Sequence, residues 1–149
     1  MNTTIEKVND LAELSLFLSK MNKQRQSHIG YCGEKVEEIK RTLEEDFIAS
    51  DGEIRFIIAR SDEGEIIAAI GLDIDGTTAE VWGPFNQSPS IELQDELWRK
   101  LVTEHPAVEN YYFFINKANI MQQNFMKNWK SAASINSTFS YQACFLIGV

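Results

Sequence analysis

Glu80 stands in a run of apolar residues, with Ala79 before it and Val81-Trp82-Gly83-Pro84-Phe85 after it. A carboxylate is a residue type that can exchange a proton. The plainer reading is an outward-facing strand residue alternating with Ala79 and Val81. His28, Tyr31 and Cys32 lie close together in a polar stretch. His28 can serve as a base because imidazole titrates near neutrality. Cys32 can in principle be a nucleophile, but no local signature prepares it, and a packed loop with an aromatic anchor explains the same residues. Ser88, Ser90 and Asn119 fall at helix starts, where side-chain oxygens either cap the helix or bind a ligand. Tyr141 offers a phenol on the last apolar segment. Two cysteines and two histidines, Cys32, Cys144, His28 and His105, have no metal-ligand spacing.

The elements that must position these residues follow from periodicity. Thr4, Ile5 and Val8 make a short strand, and Asn9 or Asp10 caps a helix with Leu11, Leu14, Leu18 and Met21 on one stripe, widened by Leu16 and Phe17. Residues 22–33 form a polar connector. A second helix carries Val36, Ile39, Leu43 and Phe47 on one face. Strands are expected over 54–60, 65–74 and 77–85, with Gly71 as a bulge and Asp75-Gly76 as a hairpin turn. Ser88 and Pro89 read as the start of a helix holding Leu93, Leu97 and Leu101. Strand 110–116, helix 120–133 and strand 138–147 complete the order β-α-α-β-β-β-α-β-α-β. A helix between two strands of one sheet implies a parallel pair.

Composition fits one domain over 1–149: 44% of the residues are hydrophobic and 24% are charged. The net charge of −8 argues against nucleic acid as a partner. Lys20, Lys23 and Arg25 are read as a solvated helix end rather than a basic patch. No apolar run is long enough for a membrane span, and the polar N-terminus lacks a secretory signal. The expectation is a cytoplasmic protein with free thiols that does not bind membranes.

The segment Glu80-Val81-Trp82-Gly83-Pro84-Phe85 and the string Phe113-Phe114-Ile115-Asn116 with Asn119, set in this element order, resemble the GNAT (acyl-CoA N-acyltransferase) superfamily. The likeness extends to divergent members built of two GNAT-like halves and covers nearly the whole chain. It implies an α/β (or α+β) fold. The sheet is expected to be mixed and mostly antiparallel, with one parallel pair where the fourth and fifth strands splay apart, flanked by about four helices. It implies transfer of an acetyl group from acetyl-CoA to a primary amine of a small molecule or peptide, directly and without a metal. Glu80 or His28 would be the base, and Tyr141 is a candidate proton donor. Val81, Trp82, Gly83 and Phe85 would line the acyl-CoA arm, Gln87, Ser88 and Ser90 would meet its phosphates, and Asn119 would bond the arm or neighbouring backbone.

The chain departs from that pattern at two places. The family's phosphate turn is rich in glycine, and none occurs between Gly83 and the end of the following helix. The family's proton-donating tyrosine, seven residues after its asparagine, falls on Met126. These departures support a second expectation, a GNAT-like binding or dimerisation module without catalysis. Phe145, Leu146 and Ile147 on the final strand suggest pairing in a homodimer.

Overall fold

The structure, a computed structural model, describes residues 3–136 and 140–146, with side chains described as far as Trp129. One six-stranded sheet runs in chain order: β1 (Thr4–Lys7), β2 (Phe56–Arg60), β3 (Ile66–Asp75), β4 (Thr78–Asn86), β5 (Asn110–Asn116) and β6 (Ser140–Leu146). The helices are α1 (Leu11–Asn22), α2 (Val36–Asp46), α3 (Ile91–Glu104) and α4 (Ile120–Asn136). A short 3-10 turn spans Arg25–Ser27. The pairs from β1 to β4 are antiparallel, and β4 with β5 is parallel, as the intervening α3 requires. The same argument applies to α4. It makes β5 with β6 a second parallel pair, one more than the sequence reading included.

Asp10 caps α1, its carboxylate accepting from Ala12 N (3.0 Å) and Glu13 N (3.1 Å). The helix buries Leu14, Phe17, Leu18 and Met21. Leu16, expected to widen that stripe, is 61% exposed instead, because it lies about half a turn from Leu14 and Leu18. On α3 the four-residue repeat Leu93, Leu97 and Leu101 is buried, together with Trp98. Ser90, not Ser88, is the N-cap of α3, its Oγ accepting from Leu93 N at 3.2 Å. Ser88 is held back by Asn86, whose Oδ1 accepts both its N–H and its hydroxyl.

The sheet separates two apolar layers. On one face Phe47, at the end of α2, meets Phe56 and Trp82 with ring centroids 5.3 and 4.7 Å apart. On the other, Trp98 of α3 packs against Tyr111 and Phe113 of β5 and against Phe125 and Trp129 of α4. Gly71 is paired with Phe56 on β2 and Trp82 on β4, at the place where the β3–β4 register shifts. A Cβ on Gly71 would stand 2.2 Å from the Phe56 ring. The bulge and the small residue therefore serve one purpose, which is to leave room for that ring. Among the described residues, no helix is long and apolar enough to cross a membrane.

Gly71→Ala is expected to destabilise the protein by about 2–3 kcal/mol through overpacking, read as a lowered denaturation midpoint. The double variant Gly71→Ala/Phe56→Ala should lose less than the sum of the two single variants. Simple additivity would sever the link between Gly71 and the ring.

Candidate functional site

The parallel β4–β5 pair is short. It runs through Thr78↔Asn110, Ala79↔Tyr111 and Glu80↔Tyr112, and beyond Glu80 the strands are no longer paired. The notch expected from the resemblance is present, with Glu80 at its apex. β5 uses its far edge to pair with β6 from Asn110 to Asn116. Anything else bonded to β5 therefore lies on the edge that faces β4. That edge is taken by the chain between α1 and α2. Ile29 forms an antiparallel bridge with Ile115, Gly30 N donates to Phe114 O at 2.5 Å, and Asn116 N donates to His28 O at 3.2 Å. Gly30 is required by contact, since a Cβ there would meet the Phe114 ring at 2.8 Å. Tyr31 stacks edge-on against the same ring at 5.5 Å.

One side chain holds this segment in shape. Asn22, the last residue of α1 and fully buried, accepts from Ile29 N at 2.6 Å. Its Nδ2 donates to the carbonyls of Ile29 (3.2 Å), Cys32 (2.6 Å) and Gly33 (2.9 Å). A buried irregular loop must find partners for its backbone, and Asn22 supplies four contacts at once. Sequence reasoning left Asn22 in a polar connector. The available signal was an amide at a helix C-terminus ahead of two glycines.

The turn from β4 into α3 is closed on itself. Gln87 N donates to Ile67 O (2.8 Å), Ser88 N to Asn86 Oδ1 (3.0 Å) and Ser90 N to Ser88 Oγ (3.2 Å), while Pro89 has no N–H. Three of the turn's N–H groups are thus occupied by carbonyl and side-chain oxygens, which leaves fewer donors for a pyrophosphate than an open glycine-rich turn would offer. Below it, Asn86 Nδ2 donates to Gln94 Oε1 at 3.2 Å, and Gln122 Nε2 donates to the same oxygen at 3.0 Å. This buried amide chain ties β4, α3 and α4 together. The asparagine-to-serine spacing of an Asx turn was its signal in the sequence.

A groove of ≈ 590 Å³ opens at the mouth of the notch, between the end of α1, the Arg25–Ser27 turn, the end of β4 and the start of α4. Its wall includes Lys20, Gln24, Asn86, Gln87, Ile120 and Met121. Of the residues expected in a site, Gln87 lines this groove. Asn119 lies close by, its Nδ2 donating to His28 O at 3.2 Å while its Oδ1 accepts from Gln122 N at 3.4 Å, so it both caps α4 and ties down the loop. Val81, Trp82 and Phe85 are buried, and Trp82 packs on Phe47. Gly83 adopts φ 120 at the register shift of β4, where its neighbours leave little room for a side chain. Tyr141 lies on β6, and its side chain is outside the described residues, as are those of Phe145, Leu146 and Ile147.

The titratable groups differ in character. Burial pushes the Cys32 thiol far above its ordinary value, so it stays protonated at neutral pH. Burial lowers the pKa of His28 despite nearby Glu34, which favours the neutral imidazole, and its Nδ1 is buried without a hydrogen-bond partner. Glu80 is exposed, but partial desolvation, then Asp73 and Asp46, raise its pKa. Asp73 of β3, directly opposite Glu80, is raised by desolvation and by Asp46. Glu80, Asp73 and Asp46 thus form a group of carboxylates on the α2 side of the notch apex. No cluster of three or more potential metal ligands occurs among the described residues.

No model of a known protein family matches the sequence, and no curated protein matches it. Solved structures do. The chain is similar to an acetyltransferase of the GNAT family from Staphylococcus aureus Mu50, at 18% identity over 85% of this chain and 81% of that one, with a TM-score of 0.67. It is also similar to a candidate acetyltransferase from Exiguobacterium sp. 255-15, at 21% identity over 84% of each chain, with a TM-score of 0.56. At these identities the likeness establishes architecture: the chain has the fold of the GNAT superfamily.

Asn22→Ala is expected to cost about 3 kcal/mol, because it strands several buried backbone groups at once. Amide hydrogen exchange should rise first at Ile29 and Gly30. Unchanged protection there would remove Asn22 from its role as the clamp. Asp73→Asn should raise the denaturation temperature at pH 7. The pKa of Asp73 lies above its ordinary 3.8 in the fold. Its protonated form is therefore favoured in the fold, and that stability is lost as pH rises through the raised value. The gain should vanish in scans below pH 3.8.

Proposed function

We propose that the chain is an acetyl-CoA-dependent N-acetyltransferase that acts on a primary amine of a small molecule or peptide by direct transfer. The observation that carries this reading is the position of Glu80 at the notch apex, with its pKa raised and with Asp73 across the strand pair. A carboxylate of raised pKa is a stronger base than an ordinary one, and the adjacent carboxylates attract a cationic acceptor. Glu80 takes a proton from the ammonium group. The freed nitrogen lone pair then attacks the thioester carbonyl, so that a C–N bond forms and the C–S bond breaks, coenzyme A leaving as a thiolate that takes up the proton the new amide nitrogen gives off. Acetyl-CoA supplies the activated acyl group. The groove at the notch mouth supports the reading by its size, which suits the arm of such a donor. His28, kept neutral by burial, is the other candidate base, although its carbonyl and not its ring is the part tied into the notch.

A second reading is supported by two specific observations. In the turn into α3 the N–H groups of Gln87, Ser88 and Ser90 are already bonded, and the position of the family's acid is Met126, which is 3% exposed in the core. On this reading the chain is a GNAT-fold binding or dimerisation module without catalysis.

Calorimetric titration with acetyl-CoA separates the two. Micromolar binding, about −8 kcal/mol, together with thiol release on adding primary amines, is expected for the enzyme. Glu80→Gln should then lower kcat/KM by about a hundredfold and remove the rise in rate with pH that a carboxylate base produces. Absence of binding up to millimolar concentration leaves the module reading.

A further inference from the structure

Sequence order separates Lys117 from Lys20 and Arg25, yet the fold brings all three to the walls of two adjoining cavities. The groove of ≈ 590 Å³ has Lys20 in its wall. A smaller cavity of ≈ 180 Å³ adjoins it at Ala118, shared by both, and is lined by Arg25, Asn116 and Lys117. Neither wall contains a single aspartate or glutamate, although the chain carries 22 acidic residues and a net charge of −8. None of the three cations is ion-paired with a described residue, whereas Lys7, Lys40 and Arg60 each are. The neutral part of the wall is donor-rich, with Gln24, Gln26 and Ser27 beside Lys20. In an acidic protein, an opening without carboxylates and with unpaired cations concentrates anions locally, against the net field.

We propose that this opening binds a phosphorylated small ligand, with Lys20, Arg25 and Lys117 meeting its phosphate groups. The cations of this site lie on the wall built by α1, the Arg25–Ser27 turn and the segment leading into α4, opposite Asn86 and Gln87 at the turn into α3. The acetyltransferase reading enters only in naming coenzyme A as one such ligand; the site itself stands on the cations and the lining. Two or three charges on a phosphate or pyrophosphate match three cations, and the volume suits one small molecule better than a polymer. The start of α4 adds its positive helix end to the same opening.

The test titrates the whole chain with inorganic pyrophosphate, with coenzyme A and with pantetheine, which lacks the phosphates. Wild type is compared with Lys20→Gln, Arg25→Gln, Lys117→Gln and the triple variant. The three side chains are exposed, so the variants are expected to keep the fold, as circular dichroism would verify. Each single change should weaken pyrophosphate and coenzyme A roughly two- to fivefold, and the triple change roughly tenfold or more. Pantetheine should bind all variants equally, and added salt should weaken only the phosphorylated ligands. Failure of pyrophosphate to bind wild type, or equal binding to the triple variant, overturns the site. Pyrophosphate binding that is lost in the triple variant, with no acetyl transfer, upholds the site and sinks the acetyltransferase reading. Acetyl transfer with unchanged KM for acetyl-CoA in the triple variant does the reverse.

Discussion

The notch depends on the amide of Asn22. Between α1 and α2 the chain makes no regular structure, yet Ile29 and Cys32 are buried. Backbone groups buried in such a loop need partners, and Asn22 answers three on Ile29 and Cys32 and a fourth on Gly33 from one side chain. The loop can then lie flat against β5, where Gly30 and Tyr31 fit the Phe114 ring. Without that amide the loop has no fixed course, and the space between β4 and β5 has no defined wall. Conformation at the notch is thus set by a residue at a helix end rather than by the strands that splay.

The two faces of the sheet divide the labour. The Phe47–Phe56–Trp82 cluster, with Gly71 cut back to admit it, anchors the end of α2 next to the carboxylate group of Asp46, Asp73 and Glu80. The Trp98 cluster holds α3 and α4 against β5 on the opposite face. The groove consequently draws on both halves, with the end of α1 on one side and the start of α4 on the other. The buried amides of Asn86, Gln94 and Gln122 join the elements at the groove's floor.

Much of the fold was legible because it rests on local signals. The Leu93–Leu97–Leu101 repeat, the apolar run Tyr111 to Ile115 and the Asp75-Gly76 turn each specify an element without knowledge of its neighbours. Gly71 was readable as a bulge, although its reason, the Phe56 ring, is a cross-strand contact that no local pattern records. The site was less legible. Ser88 looks like a cap because its hydroxyl precedes Pro89, and only the competing hydrogen bond that this hydroxyl donates to Asn86 shows that Ser90 wins. Leu16 was misread because a stripe was counted without its angle around the helix. The cationic opening was unreadable for a simple reason. Lys117 is far along the chain from Lys20 and Arg25, and sequence proximity alone makes the latter pair look like an ordinary solvated helix end.

Two strands that part company inside a sheet leave an interior edge, a row of peptide groups open to any extended chain that drifts in. Such edges invite stray pairing and, at high concentration, association between molecules. The Ile29–Ile115 bridge closes much of that row on β5 with a segment of the protein itself. The loop therefore acts as a built-in selvedge. It lets the sheet keep an opening wide enough for a small molecule while denying a foothold on β5 to another polypeptide.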